Sequence, residues 1–274
     1  MKLSRRSLLT AAAGLTVGAV ARAQPIGEHG YQVTHTELWT ELDPAHDGLR
    51  IAQLSDIHVG NSTPEKRVRA AVEQINALAP DLVFLTGDFV TYSPQPLLKV
   101  SHVLGGIAAP TFAVLGNHDH FVNAPSVRTE LEWLGYATLR NQHTRFQARG
   151  VGLTILGVDD GGTGHADVGK TFAGAPSGGT RLVLTHNPLT ARALPEQAGL
   201  VCFSGHTHGG QIVVPPVTDA LMRAAGQPYI RGVYSVGGNQ LYVNRGLGFG
   251  RNDTFLHHGS EPELAVFTLR RRDC

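Results

Sequence analysis

Between positions 49 and 134 the chain alternates short apolar runs with stretches of helical period. Leu49-Arg50-Ile51-Ala52-Gln53-Leu54, Asp81 to Thr86 and Thr111 to Leu115 are almost continuously apolar, as strands covered on both faces are. Between the first two, Val68, Val72, Ile75 and Ala79 recur at a spacing of three to four and predict one buried helical face. Thr63 is placed to cap that helix, with Pro64 at its first position and Glu65 near the positive end of its dipole. Residues 95–105 and 126–134 predict two more helices, and residues 31–42 an opening strand and turn. Strands alternating with helices predict a parallel sheet with helical crossovers.

From about residue 150 the pattern changes. Val151 to Val158, Arg181 to Thr185, Leu200 to Phe203, Gln211 to Val214, Gly232 to Val236, Leu241 to Val243 and Leu264 to Leu269 read as strands. Only Pro188 to Leu194 reads as helical. No repeat and no low-complexity linker separates the halves. The expectation is an α/β chain with one domain over residues 24–274, built of two packed sheets.

Composition narrows the class. The chain is 42% hydrophobic and 16% charged, which excludes a disordered polyelectrolyte. Two cysteines exclude a disulfide scaffold. Cys202, inside an apolar run, reads as a small buried hydrophobe. Residues 1–23 hold Lys2, Arg5, Arg6 and Arg22 but none of the 22 acids, so the remainder carries about −3. No basic stripe is left to bind nucleic acid; Arg270-Arg271-Arg272 reads as a solvated tail.

Residues 1–23 read as an export signal: a charged start, an uncharged stretch from Ser7 to Ala21, then Ala21-Arg22-Ala23 as a small-x-small cleavage pattern. Ser4-Arg5-Arg6-Ser7-Leu8-Leu9 resembles the twin-arginine signal, which carries folded proteins. A general secretory signal and an uncleaved anchor are the other readings. The expected address is the periplasm or cell envelope, with the twin-arginine export machinery as a partner and peripheral membrane contact compatible with it.

Polar residues gather where the strands end. The first three strands run into Ser55-Asp56-Ile57-His58, Gly87-Asp88 and Gly116-Asn117-His118-Asp119. Later strands run into His186-Asn187 and Gly205-His206-Thr207-His208. Carboxyl ends of parallel strands are where open α/β sheets bind ligands. A set of Asp, His and Asn without thiolate suits Mn, Fe or Zn. Each fragment alone is a common turn or cap; the ordered combination is not.

That series resembles the calcineurin-like metallophosphoesterase family, with all five motifs in family order over residues 56–208. Gly209-Gly210-Gln211, Asn244-Arg245-Gly246-Leu247-Gly248 and Glu261-Pro262-Glu263 are similar to its exported bacterial branch. The resemblance implies a double β-sheet sandwich flanked by helices, with two divalent transition-metal ions at its rim. It assigns Asp56, His58 and His208 to one ion, Asn117, His186 and His206 to the other, and Asp88 to both. It puts His118 beside the phosphate as acid or charge stabiliser, with Asp119 orienting it. The implied activity is hydrolysis of a phosphodiester or phosphomonoester substrate by activated water. A pyrophosphatase acting on a nucleotide-activated lipid such as UDP-diacylglucosamine, and a non-catalytic metal-binding envelope module, are the alternatives. Relatives carry an arginine shortly before the Pro-Glu; here Arg251 comes earlier and residues 254–260 intervene, which puts a substrate role for Arg251 or Arg245 in doubt.

Of the remaining histidines, His29, His35, His46, His102, His143 and His165 read as surface or structural. His257-His258 read as a solvated loop, and His120 as a candidate for the pocket lining. Asp159-Asp160-Gly161-Gly162 reads equally as a plain turn or the border of a cleft.

Overall fold

The computed structural model describes residues 19–24, 27–59, 63–92, 97–214, 216–248 and 260–272. Residues 1–18 of the export signal, Arg251, His257, His258 and Cys274 lie outside the described residues.

In chain order the first half comprises β1 (Ala19–Ala23), β2 (Gln32–Thr40), β3 (Arg50–Leu54), α1 (Glu65–Leu78), β4 (Leu82–Thr86), α2 (Leu97–Leu104), β5 (Thr111–Val114), α3 (Asn117–Val122), α4 (Ala124–Trp133) and β6 (Ala137–Thr138). The second half comprises β7 (Gln142–Ala148), β8 (Val151–Gly157), α5 (Val168–Phe172), β9 (Arg181–Leu184), β10 (Val201–Ser204), α6 (Val217–Ala224), β11 (Gly232–Val236), β12 (Asn239–Val243) and β13 (Glu263–Arg271). The strands form two mixed sheets, ordered β1-β2-β13-β3-β4-β5-β6 and β11-β12-β10-β9-β8-β7. β3, β4, β5 and β6 run parallel, as do β8, β9, β10 and β12. Their carboxyl ends carry every strand-end motif noted above.

Alternation along each strand divides the apolar residues between faces. Ile51, Leu82, Phe84 and Phe112 meet Ile155, Leu182, Leu184 and Phe203 between the sheets. Ala52, Leu54, Val83 and Leu85 pack outward on Val68, Val72 and Ile75 of α1. Leu156, Val183, Cys202 and Leu241 face the opposite outer layer with Ala191 and Leu194. Gln53 is buried in the seam, donating Nε2–H to Thr86 Oγ1 at 2.8 Å and to the Ser204 carbonyl at 3.0 Å. One side chain thus ties both sheets together directly beneath the rim.

Three local expectations change. Thr63 does not cap α1: the helix starts at Glu65 after Pro64 with no side-chain cap, and buried Thr63 bridges to Val59 instead. Gln211 to Val214 is not a strand, because Gly209, Gly210 and Gln211 all take positive φ and turn the chain away from any ladder. Pro188 to Leu194 is not the only helical stretch of the second half, since α5 and α6 are helices, and β7, whose exposed and half-buried residues lack an apolar run, is a strand the pattern does not predict. Ala19–Ala23, within the proposed signal, pairs antiparallel with β2 as an edge strand.

Candidate metal centre

The strand-end turns are tight. Asp56, His58, Asp88, His206 and His208 all hold positive φ, between 49° and 76°. Non-glycine residues adopt this region at a cost and concentrate there at functional sites. Two glycines open the space they need. A Cβ on Gly116 would stand 2.2 Å from Asp88 Oδ1, and one on Gly205 would stand 2.2 Å from Asp56 Oδ2. Loop 244–248 closes the rim from behind, with Leu247 N–H donating to the Ser55 carbonyl and Gly248 N–H to that of Asp56.

All seven residues read as ligands come together. Asp56, His58, Asp88 and Asn117 follow strands of the first sheet; His186, His206 and His208 follow strands of the second. They form two clusters. In one, His58 Nε2 and His208 Nε2 lie 3.2 Å apart, and His208 Nε2 lies 3.4 Å from Asp56 Oδ1. In the other, Asn117 Oδ1 lies 3.1 Å from His186 Nε2 and 2.9 Å from His206 Nδ1. Asp88 Oδ2 stands between them, 3.6 Å from His58 Nε2 and 3.3 Å from His186 Nε2.

This donor set fits cations. Imidazole nitrogens and carboxylate oxygens converge lone pair on lone pair within a buried rim, which repels unless positive charge lies between them. Orientation is fixed from behind, as metal-binding histidines require. His186 Nδ1 donates to the Thr86 carbonyl at 2.8 Å, so Nε2 is the nitrogen that faces Asp88 and Asn117 and would turn a lone pair to a cation once that cation displaces its proton. The backbone N–H of His206 donates to Asp56 Oδ2 at 3.0 Å. Before any cation binds, burial holds the His58 imidazole down at about 3, against the pull of Asp88. Burial opposes protonation of His186 as well, but the Asp88 carboxylate overcomes it and raises that group to about 10.

His118 edges onto the His58 ring at a centroid distance of 4.9 Å. Its Nδ1–H donates to the Thr91 carbonyl at 2.7 Å, leaving Nε2 unengaged by that bond. A cavity of about 230 Å³ opens over the site, lined by Asp88, Tyr92, Asn117, His118, His206, His208 and Gln211. Asp119 does not orient His118. Its buried carboxylate accepts from the backbone N–H groups of Asp88, Phe89, Val90 and Gly116 at 2.8–3.2 Å, cross-bracing the two turns that carry Asp88 and Asn117. A carboxylate in the first turn of α3 faces these amides before it can reach a ring. The orienting group is Thr91 O, and a backbone carbonyl leaves no mark in residue type.

Arg245 turns away from the cavity toward Glu261, Glu263 and Gln32. A groove of about 1,080 Å³ runs off the site, sharing Asn117 and His206 with it and lined further along by Gly161, Gly162, His165, Lys170 and Asn187. The Asp-Asp-Gly-Gly loop therefore borders a cleft. Asp159 underpins it, with Oδ1 2.7 Å from His120 Nε2 and Oδ2 accepting from Arg140 at 2.8 Å. His165 stacks on His120 at 4.1 Å.

The calcineurin-like phosphoesterase profile matches residues 49–210. An uncharacterized metallophosphoesterase of Bacillus subtilis, YkuE, is 32% identical and aligns over 98% of both chains. The UDP-2,3-diacylglucosamine pyrophosphatase LpxG of Chlamydia trachomatis is 28% identical over 80% of this chain and 83% of its own. The phosphodiesterase YaeI of Escherichia coli is 30% identical over 81% of this chain and 82% of its own.

Proposed function

Because the chain belongs to the calcineurin-like phosphoesterase family, we propose that it hydrolyses phosphodiesters, with phosphomonoesters as lesser substrates, at a centre of two divalent transition-metal ions. The observation that carries this is the convergence of seven ligand atoms in two overlapping groups, Asp56-His58-His208 and Asp56-Asp88-His186, with Asp88 Oδ2 facing both His58 and His186 and Asn117 Oδ1 facing His186 and His206. Asp56, His58 and His208 would hold one ion and Asn117, His186 and His206 the other. Bound there, divalent cations lower the pKa of water and offset the charge of the phosphoryl oxygens. The chain's own groups supply the rest. His118, oriented by Thr91, presents Nε2 over the cavity to protonate the departing oxygen, a contribution typically of about 10²–10⁴-fold. Asp119 keeps the Asp88 and Asn117 turns at fixed separation. Asp88 Oδ1 accepts the His118 backbone N–H at 2.9 Å, coupling the shared ligand to the acid.

A second reading is a pyrophosphatase on a nucleotide-activated lipid. The similarity to LpxG favours it, and the long groove beside Asn117 and His206 gives room for a larger group than phosphate. Rates on a bis-aryl phosphodiester, an aryl monophosphate and a nucleotide–lipid pyrophosphate, with Mn or Zn supplied, separate the two. The diester should be fastest, and verified metal removal should abolish turnover; a strong preference for the pyrophosphate would reject the first reading. We also place the protein in the periplasm or cell envelope, on the strength of Arg5-Arg6 and Ala21-Arg22-Ala23.

A further inference from the structure

Helix α6 is amphipathic the wrong way round for a packed helix. Val217, Ala220, Leu221 and Ala224 recur at i, i+3, i+4 and i+7, the spacing of one helical face, and all four are exposed. The inward side is mixed: Thr218 is buried with its hydroxyl donating to the Ile212 carbonyl at 2.6 Å, Met222 one turn on is half-buried, and half-buried Asp219 pairs with Arg231 at 2.9 Å. Ile212 and Val214 extend the apolar face along the preceding segment, at 40% and 53% exposure. That segment leaves directly from Gln211, which lines the cavity over the ligand clusters.

Across that cavity Tyr92 lines the opposite edge, and Phe121 lines the adjoining groove. Tyr92 and Phe121 are 63% and 68% exposed and set their rings 5.0 and 6.0 Å from His118. Among the described residues, seven large hydrophobic side chains are exposed; four lie on α6 and the segment leading to it from Gln211, and two, Tyr92 and Phe121, beside His118. Apolar residues concentrated around one opening mark an interaction surface rather than ordinary scatter.

Charge identifies what covers it. Asp219 is the only acid in residues 205–232, and Arg231 already neutralises it. Arg223 remains exposed on α6, flanking the apolar face, so the segment is net positive in a chain whose residues 24–274 carry about −3. An apolar helical stripe bordered by arginine is the pattern of a helix lying in the plane of a membrane surface, where anionic headgroups attract the basic flank. We propose that the α6 face and the Tyr92–Phe121 lip dock on an anionic phospholipid bilayer, presenting the metal cavity to the headgroup layer. This docking does not depend on which ester the site cleaves.

The test is co-sedimentation of the full-length protein with vesicles of phosphatidylglycerol and phosphatidylcholine, and with phosphatidylcholine alone. Wild type should partition onto the anionic vesicles and much less onto the neutral ones. Val217→Glu with Leu221→Glu should weaken partition at least tenfold, while its rate on a soluble aryl phosphodiester and its thermal unfolding stay unchanged. Arg223→Gln should reduce the preference for the anionic lipid. Partition of the double variant equal to wild type, or no vesicle binding by wild type, would overturn the proposal. So would a dimer in sedimentation velocity that the double variant abolishes, since a second copy would then cover the face. The soluble-substrate rate keeps a failure of docking distinct from a failure of the catalytic reading.

Discussion

Asp88 and His118 stand side by side yet should fail differently when removed. Asp88 Oδ2 faces both clusters, so Asp88→Ala should release bound metal and abolish turnover. His118→Ala leaves all seven ligand atoms in place and should keep metal while losing about 10²–10⁴ in rate; metal analysis beside kcat reads the contrast, and metal lost from both would contradict it. Asp159 tests the wall of the groove. Burial disfavours its charge, but hydrogen bonds from His120 and Arg140 outweigh that and hold its pKa below the ordinary 3.8. A depressed carboxylate contributes stability that is complete above its unfolded value and is lost as pH falls through the folded one. Asp159→Asn should therefore cost about 1–3 kcal/mol at neutral pH. The gap to wild type in denaturant melts should close at strongly acid pH, and a gap independent of pH would contradict the assignment. The convergence of these seven side chains was legible because Asp, His, Asn and Gly at strand ends carry their chemistry in their identity. The role of Asp119 was misread because sequence neighbours need not touch: the carboxylate found amides and His118 found a carbonyl.

At the scale of elements, the parallel strands and α1 were legible from periodicity alone, since burial on both faces leaves few polar interruptions. α6 was not, because its apolar stripe Val217, Ala220, Leu221 and Ala224 points to solvent, and the β-branched Ile212-Val213-Val214 beside it mimics a strand. The turn after β10 shows how an element aims its residues. Gly205 passes so close to the Ser55–Asp56 turn that a methyl group has no room. Gly205→Ala should cost about 1–3 kcal/mol by overpacking and should weaken metal binding by shifting Asp56 against His206. Unchanged metal affinity in a folded Gly205→Ala protein would show that the contact does not aim the ligand.

At the scale of the whole molecule, the ligands are scattered over some 150 residues of sequence, so the site exists only once both sheets have folded. That favours a route that exports folded chains, because metal can then be taken up before translocation. Replacing Arg5 and Arg6 by lysine should leave precursor inside the cell, as fractionation and blotting would reveal; normal export of that variant would count against the twin-arginine reading. The same scatter has a mechanical consequence. Four of the proposed ligands follow the first sheet and three the second, so ions held by them would act as a clasp across the sandwich at the rim just above Gln53. A clasp that closes only on the native state shifts the unfolding equilibrium by mass action, by about 2.7 kcal/mol at a hundredfold excess of free ion over its dissociation constant. For a chain of this size that corresponds to about 5–10 °C in melting temperature, so the heat resistance of the protein should track the free metal concentration around it, and a chelator should lower it without touching a single apolar contact.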